Sequence, residues 1–122
     1  MYKIIACDLD ETLIGKDRTI SGENIQAIRQ ATEKGVLFVP CTGRGYSSVH
    51  NTTKELGLYG KEGQYVISYN GGAITENNEE KLLYFQGITF EEASSLYKKG
   101  LTYEHICIHI YTTDQVWVRN FY

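Results

Sequence analysis

Two aspartates, Asp8 and Asp10, stand two positions apart, directly after the short apolar run at residues 3–7. Carboxylates this close repel each other unless a cation or a shared proton offsets their charge. Asp8 could attack a phosphoryl group and form an aspartyl-phosphate, while Asp10 could protonate the leaving oxygen and then activate water. The pair therefore predicts phosphoryl-transfer chemistry, with two solvated loop acids as the alternative.

Two further polar segments could complete such a site. Thr42 and Gly43 follow the apolar run 36–39, and Asn70 follows the apolar run 65–69. Thr42 could donate its hydroxyl to a phosphoryl oxygen, and Gly43 would let the backbone approach and offer an N–H. Phosphoryl transfer depends mainly on positioning and charge stabilisation. Magnesium, which prefers oxygen ligands, would bridge a carboxylate and the phosphate.

The elements that must position these residues alternate between strands and helices. Short apolar runs predict strands, and the first of them is expected to be buried on both faces. Helical spacing after the candidate N-cap Ser21 predicts a helix that stops at Gly35. This alternation predicts a parallel sheet with right-handed crossovers, whose ligand crevice lies beyond the carboxyl ends of the strands. In chain order we predict a strand at 3–7, a helix at 21–35, a strand at 36–39, a weaker helix at 46–56 and a strand at 65–69.

The second half of the chain has a different pattern. Segments 73–75 and 81–85 flank a polar turn and predict a hairpin. Thr89 and Glu92 have capping-box spacing and predict a helix that ends at Gly100. Alternating residues then predict an antiparallel pair of strands at 106–111 and 116–119. The fold class is therefore α/β, with antiparallel strands after the parallel sheet.

Composition and charge exclude several classes of function. The 122-residue chain is 42% hydrophobic and 22% charged, as globular domains are. Its net charge of −3, without a basic run, argues against nucleic acid and against an anionic membrane surface. Asp8 comes too early for a signal peptide, and no apolar run could span a bilayer. Three widely spaced cysteines without a Cys-x-x-Cys pair disfavour disulfides and zinc, and His109 is expected to face outward from its strand. We expect a cytoplasmic protein.

The motifs also resemble those of a known family. The segment from Asp8 to Leu13, Asp-Leu-Asp-Glu-Thr-Leu, resembles motif one, Asp-x-Asp-x-Thr, of the haloacid dehalogenase-like hydrolases. The segment 41–44, Cys-Thr-Gly-Arg, is similar to their motif two. The segment 68–72, Ser-Tyr-Asn-Gly-Gly, is similar to one typical of the Cof-type branch, whose cap is inserted after the third strand. The resemblance implies a Rossmann-like core at residues 1–72 and a partial C2-type α+β cap at residues 73–122.

The resemblance implies a role for each matching residue. Asp8 would be the nucleophile and a magnesium ligand. Asp10 would be the acid/base and would bind the metal through its backbone carbonyl. Thr42 would bind phosphate, and Thr12 would support the motif-one loop. Asn70 would lie near the phosphate or at the cap hinge. The implied activity is magnesium-dependent hydrolysis of a small phosphorylated metabolite.

Some residues depart from the family pattern. Glu11 stands where the family commonly has Gly, and Arg44 is expected to form a structural salt bridge in preference to a substrate contact. The family also needs a later Lys and a further acidic motif that completes the magnesium shell, and both follow the cap. Lys98 and Lys99 are instead expected on the cap helix, and Asp114 in a hairpin turn. The chain is therefore expected to be the N-terminal portion of such a hydrolase.

Two alternatives to the phosphatase hypothesis stay open at this point. One is a catalytically incomplete protein that keeps the fold and binds metal or phosphate weakly. The less favoured one is a phospho-acceptor receiver domain, which would place its acceptor Asp where this chain has Asn70. If the chain is the N-terminal portion of a hydrolase, unpaired backbone at a sheet edge predicts self-association.

Overall fold

The computed structural model describes residues 2–120, which form two compact units. Along the chain, the first unit ends at Gln86 and the second begins at Gly87. The α-helices and strands of the first unit are β1 (Ile4–Asp8), α1 (Gly22–Glu33), β2 (Leu37–Cys41), α2 (His50–Glu55), β3 (Tyr65–Ser68), β4 (Ala73–Glu76) and β5 (Lys81–Phe85). The second unit contains α3 (Phe90–Gly100), β6 (Ile108–Tyr111) and β7 (Val116–Arg119).

The first unit is built on a five-stranded mixed sheet with the order β1-β2-β3-β4-β5. β1 pairs with β2, and β2 with β3, in parallel, whereas β3, β4 and β5 pair antiparallel. The predicted α/β fold class with parallel strands followed by antiparallel ones is confirmed. Apolar side chains from the helices, the loops and the sheet form one core: Leu9, Leu13, Ile14, Ile20, Ile28, Phe38, Val49, Leu56, Leu58 and Val66.

Helix α1 begins and ends beside the residues that carry capping signals. The Ser21 hydroxyl accepts a hydrogen bond from the Asn24 N–H at 3.2 Å, as an N-cap does. Gly35, just beyond α1, has a φ of +84°, which glycine adopts without strain. The weaker predicted helix is split into a 3₁₀ turn (Tyr46–Val49) and the six-residue α2. Its predicted apolar contacts are present, since Val49 and Leu56 are buried.

The expectation that the first strand is buried on both faces is wrong. β1 is the terminal strand of the sheet, and it pairs only with β2 within the part of the chain that the structure describes. Ile4 is consequently 58% exposed and Ile5 is 41% exposed. An apolar run of this kind indicates a strand but cannot reveal whether the strand lies at the centre or at the edge of its sheet.

The hairpin β4–β5 belongs to the first unit. β4 is hydrogen-bonded to β3 over four residue pairs, and β5 extends the same sheet beyond β4. The first compact unit therefore extends to Gln86, beyond residue 72, after which the family resemblance implies the start of the cap. The boundary between core and cap stays a prediction. Antiparallel strands can join the edge of a parallel sheet, and their residues alternate in the same way whichever domain they belong to. The sequence pattern therefore cannot show that β4 and β5 extend the first sheet.

The second unit is a helix followed by a two-stranded antiparallel sheet. Thr89 and Glu92 form the predicted capping box at the start of α3, and Gly100 is the last residue of that helix. β6 pairs with β7 from Ile108 opposite Arg119 to Tyr111 opposite Val116. β6 begins two residues later than predicted, after His105, which has a left-handed φ of 61°. Among residues 2–120, no helix is long and apolar enough to cross a bilayer.

We expect the stability of α3 to depend on pH through Glu92. Hydrogen bonds from the backbone N–H and the hydroxyl of Thr89 lower the pKa of Glu92. A carboxylate whose pKa is lower in the folded chain than in the unfolded chain stabilises the fold at pH values above its unfolded pKa. This stabilisation is lost as the pH falls through the pKa of the folded chain. Glu92→Gln should therefore weaken the loss of helical circular dichroism in acid. Glu91→Gln, in the same helical turn but outside the box, is the control and should leave the acid transition unchanged.

Candidate functional site

The segment after β1 presents two aspartates on a loop that is anchored in the core. Leu9 is completely buried, and Leu13 and Ile14 are nearly so. The N–H of Ile14 donates to the carbonyl of Leu9 at 2.8 Å, and that of Leu13 donates to the carbonyl of Asp8 at 3.3 Å. These contacts hold the backbone on both sides of Asp10. The carboxylates of both aspartates are exposed while the leucine between them points inward.

Asp8 lies at the carboxyl end of β1, opposite Cys41 of β2. Its Oδ2 accepts a hydrogen bond from the Thr12 hydroxyl at 2.6 Å, which is the contact that the predicted supporting role of Thr12 requires. Burial raises the pKa of the Cys7 and Cys41 thiols, and the negative charge of Asp8 raises both further. Both thiols are therefore uncharged near neutral pH, and Asp8 has no thiolate beside it.

Asp10 is held by an arginine from another loop. The Arg44 guanidinium donates Nε–H to Asp10 Oδ2 at 2.8 Å, and its Nη2 contacts Asp10 Oδ1. This is a bidentate pair, the geometry in which arginine binds a carboxylate most strongly. Both side chains are about half exposed, at 40% and 51%, so solvent screens the attraction. The expected salt bridge of Arg44 is confirmed, but no sequence signal identified Asp10 as its partner.

The loops after β2 and β3 pack against each other. The N–H of Thr42 donates to the carbonyl of Ile67 at 2.9 Å, and the carbonyl of Thr42 accepts from the N–H of Asn70 at 3.1 Å. The Thr42 hydroxyl accepts from the backbone N–H of Arg44 at 3.1 Å, which leaves its own proton free to donate. A Cβ built on Gly43 would lie 3.0 Å from Asn70 Oδ1. Thr42, Gly43 and Asn70 therefore lie together, as the sequence predicted.

Close packing at the end of β3 depends on Tyr69 and Gly45, which the sequence pattern did not single out. Tyr69 and Asn70 both have left-handed backbone conformations, with φ values of 50° and 55°. A Cβ on Gly45 would lie 2.6 Å from the Tyr69 hydroxyl, so this ring needs a glycine beside it. Left-handed non-glycine residues are costly and concentrate at functional sites. Gly45, two positions after Gly43, is the residue in the sequence that could have indicated this close packing.

Glu11 also has a left-handed backbone, with a φ of 59°. Glycine adopts this region without the steric cost that a Cβ imposes, which gives a physical reason for the Gly common at this position in the resembled family. Glu11→Gly should therefore stabilise the protein by about 0.5 to 1 kcal/mol, after the greater flexibility of glycine in the unfolded chain is subtracted. Urea unfolding measures the change. Glu11→Ala, which removes the charge but keeps the Cβ, should show no such gain, and an equal gain would indicate charge repulsion instead.

The donor set fits magnesium only in part. Within residues 2–120, no group of three or more His, Cys, Asp or Glu side chains is close enough to hold a metal ion. Magnesium commonly uses only one or two carboxylates and completes its shell with water and phosphate oxygens. Asp8, whose Oδ2 binds Thr12, could supply one of these carboxylates. Lys98 and Lys99 lie in the last turn of α3, and Asp114 lies between β6 and β7, as expected.

Curated relatives of the chain are phosphatases. The chain is 32% identical over 114 residues to 5-amino-6-(5-phospho-D-ribitylamino)uracil phosphatase YwtE of Bacillus subtilis, a match that covers 93% of the chain and 37% of that protein. It is 36% identical over 91 residues to phosphatase YwpJ of the same organism, covering 75% of the chain and 30% of that protein. The chain thus spans well under half the length of these relatives.

Solved structures show the same fold. A haloacid dehalogenase-like hydrolase from Bacteroides thetaiotaomicron superposes with a TM-score of 0.83 at 28% identity, covering 98% of the chain and 44% of that protein. A haloacid dehalogenase-like hydrolase from B. subtilis superposes with a TM-score of 0.81 at 31% identity, covering 93% of the chain and 38% of that protein. The family described as haloacid dehalogenase-like hydrolase matches residues 5–121. The resemblance seen in the three motifs is therefore confirmed, and the chain belongs to the haloacid dehalogenase-like hydrolase family.

Proposed function

We propose that this chain forms the N-terminal part of a magnesium-dependent phosphomonoester hydrolase that acts on a small phosphorylated metabolite through an aspartyl-phosphate. One observation carries the proposal: the Asp8 carboxylate lies at the carboxyl end of β1, with Oδ2 held by Thr12. The phosphatases among the relatives, one of them named for a phosphoribityl compound, support this substrate class. The net charge of −3 favours a metabolite over a nucleic acid, and the three free cysteines favour a cytoplasmic location.

In this proposal, Asp8 is the nucleophile. Thr12 binds Oδ2, so Oδ1 is the oxygen that attacks the phosphorus. The alcohol oxygen of the substrate leaves, and an acyl phosphate forms on Asp8. Water then attacks this intermediate and releases phosphate. Magnesium, bound by the Asp8 carboxylate and the Asp10 carbonyl, would offset the charge that the carboxylates and the phosphate bring together.

Asp10 is the proposed acid/base. It would protonate the leaving oxygen in the first step and take a proton from water in the second. A carboxyl group that donates a proton cannot accept from Arg44 through both of its oxygens at once. Arg44 must therefore release at least one of its two contacts with Asp10 before the first step. The exposed position of both side chains permits this change.

The loops after β2 and β3 form the proposed phosphate pocket. The Thr42 hydroxyl, which already accepts from the Arg44 N–H, would donate its proton to a phosphoryl oxygen. Gly43 has no side chain and would let the backbone approach the phosphate. The Asn70 amide lies beside Gly43. Neutral donors of this kind would position the phosphoryl group, and a bound magnesium ion would supply most of the counter-charge.

The direct test is phosphate release from a panel of phosphomonoesters, including sugar phosphates and a phosphoribityl compound. We expect release that requires magnesium and stops when the metal is chelated. A phosphoryl adduct on Asp8, detected by mass spectrometry after acid quenching, would identify the intermediate. Turnover that continues in chelator would contradict the proposal.

The second candidate is a catalytically incomplete form. The positions of Lys98 and Lys99 favour it. The family resemblance implies a lysine that follows the cap, whereas Lys98 and Lys99 lie within α3, the helix predicted to belong to the cap. This candidate predicts magnesium-dependent binding of inorganic phosphate without turnover in the 122-residue chain. Calorimetric titration with phosphate, in the presence and absence of magnesium, separates it from the active form.

We also propose that the 122-residue chain self-associates through its sheet edges. β1 and β5 are the two terminal strands, and Ile4 and Phe85 on them are more than half exposed. Unpaired edges with apolar side chains pair readily with a second copy. Light scattering should show a mass that rises with protein concentration, and Ile4→Lys should reduce the rise. Leu96→Lys, on an exposed position of α3, is the control. A monomer at every concentration would contradict the proposal.

A further inference from the structure

Three side chains on one face of the second unit form a hydrogen-bonded row. The Cys107 Sγ lies 3.1 Å from His109 Nε2, and His109 Nδ1 lies 3.3 Å from the Tyr111 hydroxyl. His109 and Tyr111 lie on β6 and Cys107 comes directly before it, and residues two apart in extended backbone project from the same face. The phosphatase proposal uses none of them.

This face is open to solvent. Ile106 and Ile108, which alternate with the row, lie against α3, since a Cβ on Gly100 would contact both of their side chains. The row therefore occupies the face of β6 that is turned away from α3. Cys107, His109 and Tyr111 are all exposed, which confirms the expected outward position of His109. A small molecule can reach the thiol without any movement of the unit.

The geometry of the row allows His109 to act as a base toward the Cys107 thiol. If His109 Nε2 accepts the thiol proton, Nδ1 carries the other hydrogen and donates it to the Tyr111 oxygen. In that tautomer the phenol oxygen orients the imidazole by accepting from Nδ1–H. A thiol paired in this way with a base and an orienting group matches the arrangement of nucleophilic cysteines. The neighbours on the same face, Val118 opposite His109 and Val116 opposite Tyr111, bring no competing charge.

We propose that Cys107 is a thiol–disulfide exchange site, with His109 as its base and Tyr111 as a positioning residue. The Cys107 thiol gives its proton to His109 Nε2, and the thiolate attacks one sulfur of a low-molecular-weight disulfide. A new S–S bond forms to Cys107 and the original S–S bond breaks. The second sulfur leaves as a thiolate and takes the proton from the imidazolium. The product is a mixed disulfide on Cys107 and one free small thiol.

Cys7 and Cys41 provide reference thiols within the same molecule. Both are partly buried in the first unit, and burial together with the charge of Asp8 raises their pKa values. Neither has a histidine among its hydrogen-bond partners in the described residues, since their thiols donate to backbone carbonyls. They should therefore react slowly with the same disulfide.

The experiment measures the rate of modification at each cysteine with oxidised glutathione at neutral pH. Mass spectrometry of the digested full chain reports the three thiols separately. We expect Cys107 to react fastest, and both His109→Phe and His109→Gln to slow it by about three- to tenfold. Tyr111→Phe, which keeps the ring and removes the hydroxyl, should slow it less. Rates at Cys7 and Cys41 should not change in any variant.

Two controls separate activation from simple exposure. His105→Gln removes the other exposed imidazole near Cys107 and should leave its rate unchanged. The fluorescence of Trp117, the only tryptophan in the chain, reports whether the second unit keeps its fold in each variant. If Cys107 reacts equally fast in folded His109 variants, or if His105→Gln slows it equally, the proposal is wrong.

Discussion

Asp8→Asn is expected to lower the rate of magnesium-dependent phosphate release by a factor on the order of 10⁴ or more, because removing a nucleophile leaves only residual catalysis. Asparagine has the shape of aspartate, but its amide is a poor nucleophile and a poor ligand for magnesium. The position is exposed, so the melting temperature should change little. This variant should therefore lose activity while it keeps its melting temperature. If Asp8 had a purely structural role, both would fall together.

Asp114→Asn is the matched control for this substitution. Asp114 accepts a hydrogen bond from the Thr112 hydroxyl at 2.9 Å in the turn between β6 and β7, in the second unit. The same chemical change there should leave phosphate release intact. Phosphate release by Asp8→Asn at the rate of the unmodified chain would refute the nucleophile assignment. The mass of the acid-quenched protein gives a second readout, since the variant should carry no phosphoryl adduct.

Leu9→Ala is expected to have the largest effect on stability, a loss of about 3 kcal/mol. Leu9 is completely buried, and its truncation leaves a cavity in the core beneath the loop. Domains of this size are stable by only about 5 to 15 kcal/mol, so such a loss is a large fraction of the total. The substitution should also impair activity, since the backbone around Leu9 holds both Asp8 and Asp10 in place.

Urea unfolding and phosphate release test both parts of this expectation. The midpoint of unfolding should fall in Leu9→Ala, and the remaining folded protein should be less active per molecule. Leu83→Ala in β5 provides the comparison, because Leu83 is 49% exposed and the same truncation creates little cavity there. Equal losses of stability in the two variants would show that Leu9 does not anchor the loop.

Much of the fold could be predicted because its signals are local. The Ser21 cap and the Thr89–Glu92 box act within three or four residues, so the sequence displays both partners side by side. The runs that form β1, β2 and β3 end at polar residues, and parallel strands bring such ends to one edge of the sheet. The positions of Asp8, Thr42 and Asn70 were therefore predictable from residue types and spacing alone.

Other features depend on contacts between distant parts of the chain. Asp10 and Arg44 are 34 positions apart, and only the parallel pairing of β1 with β2 brings their loops together. The exposure of Ile4 likewise follows from the place of β1 at the edge of the sheet, which an apolar run cannot specify. For Glu11, the family pattern marked an unusual residue, but the left-handed backbone was visible only in the folded loop.

The amino-acid sequence of this protein thus specifies which residues can do chemistry and which strand each one follows, because those properties reside in residue types and short spacings. The folded chain decides which of these residues touch. In the folded chain, Thr12 contacts Asp8, Arg44 contacts Asp10 and His109 contacts Cys107. Side-chain partners depend on the direction of each Cα–Cβ bond and on the course of the backbone between elements, and both arise only when the chain packs.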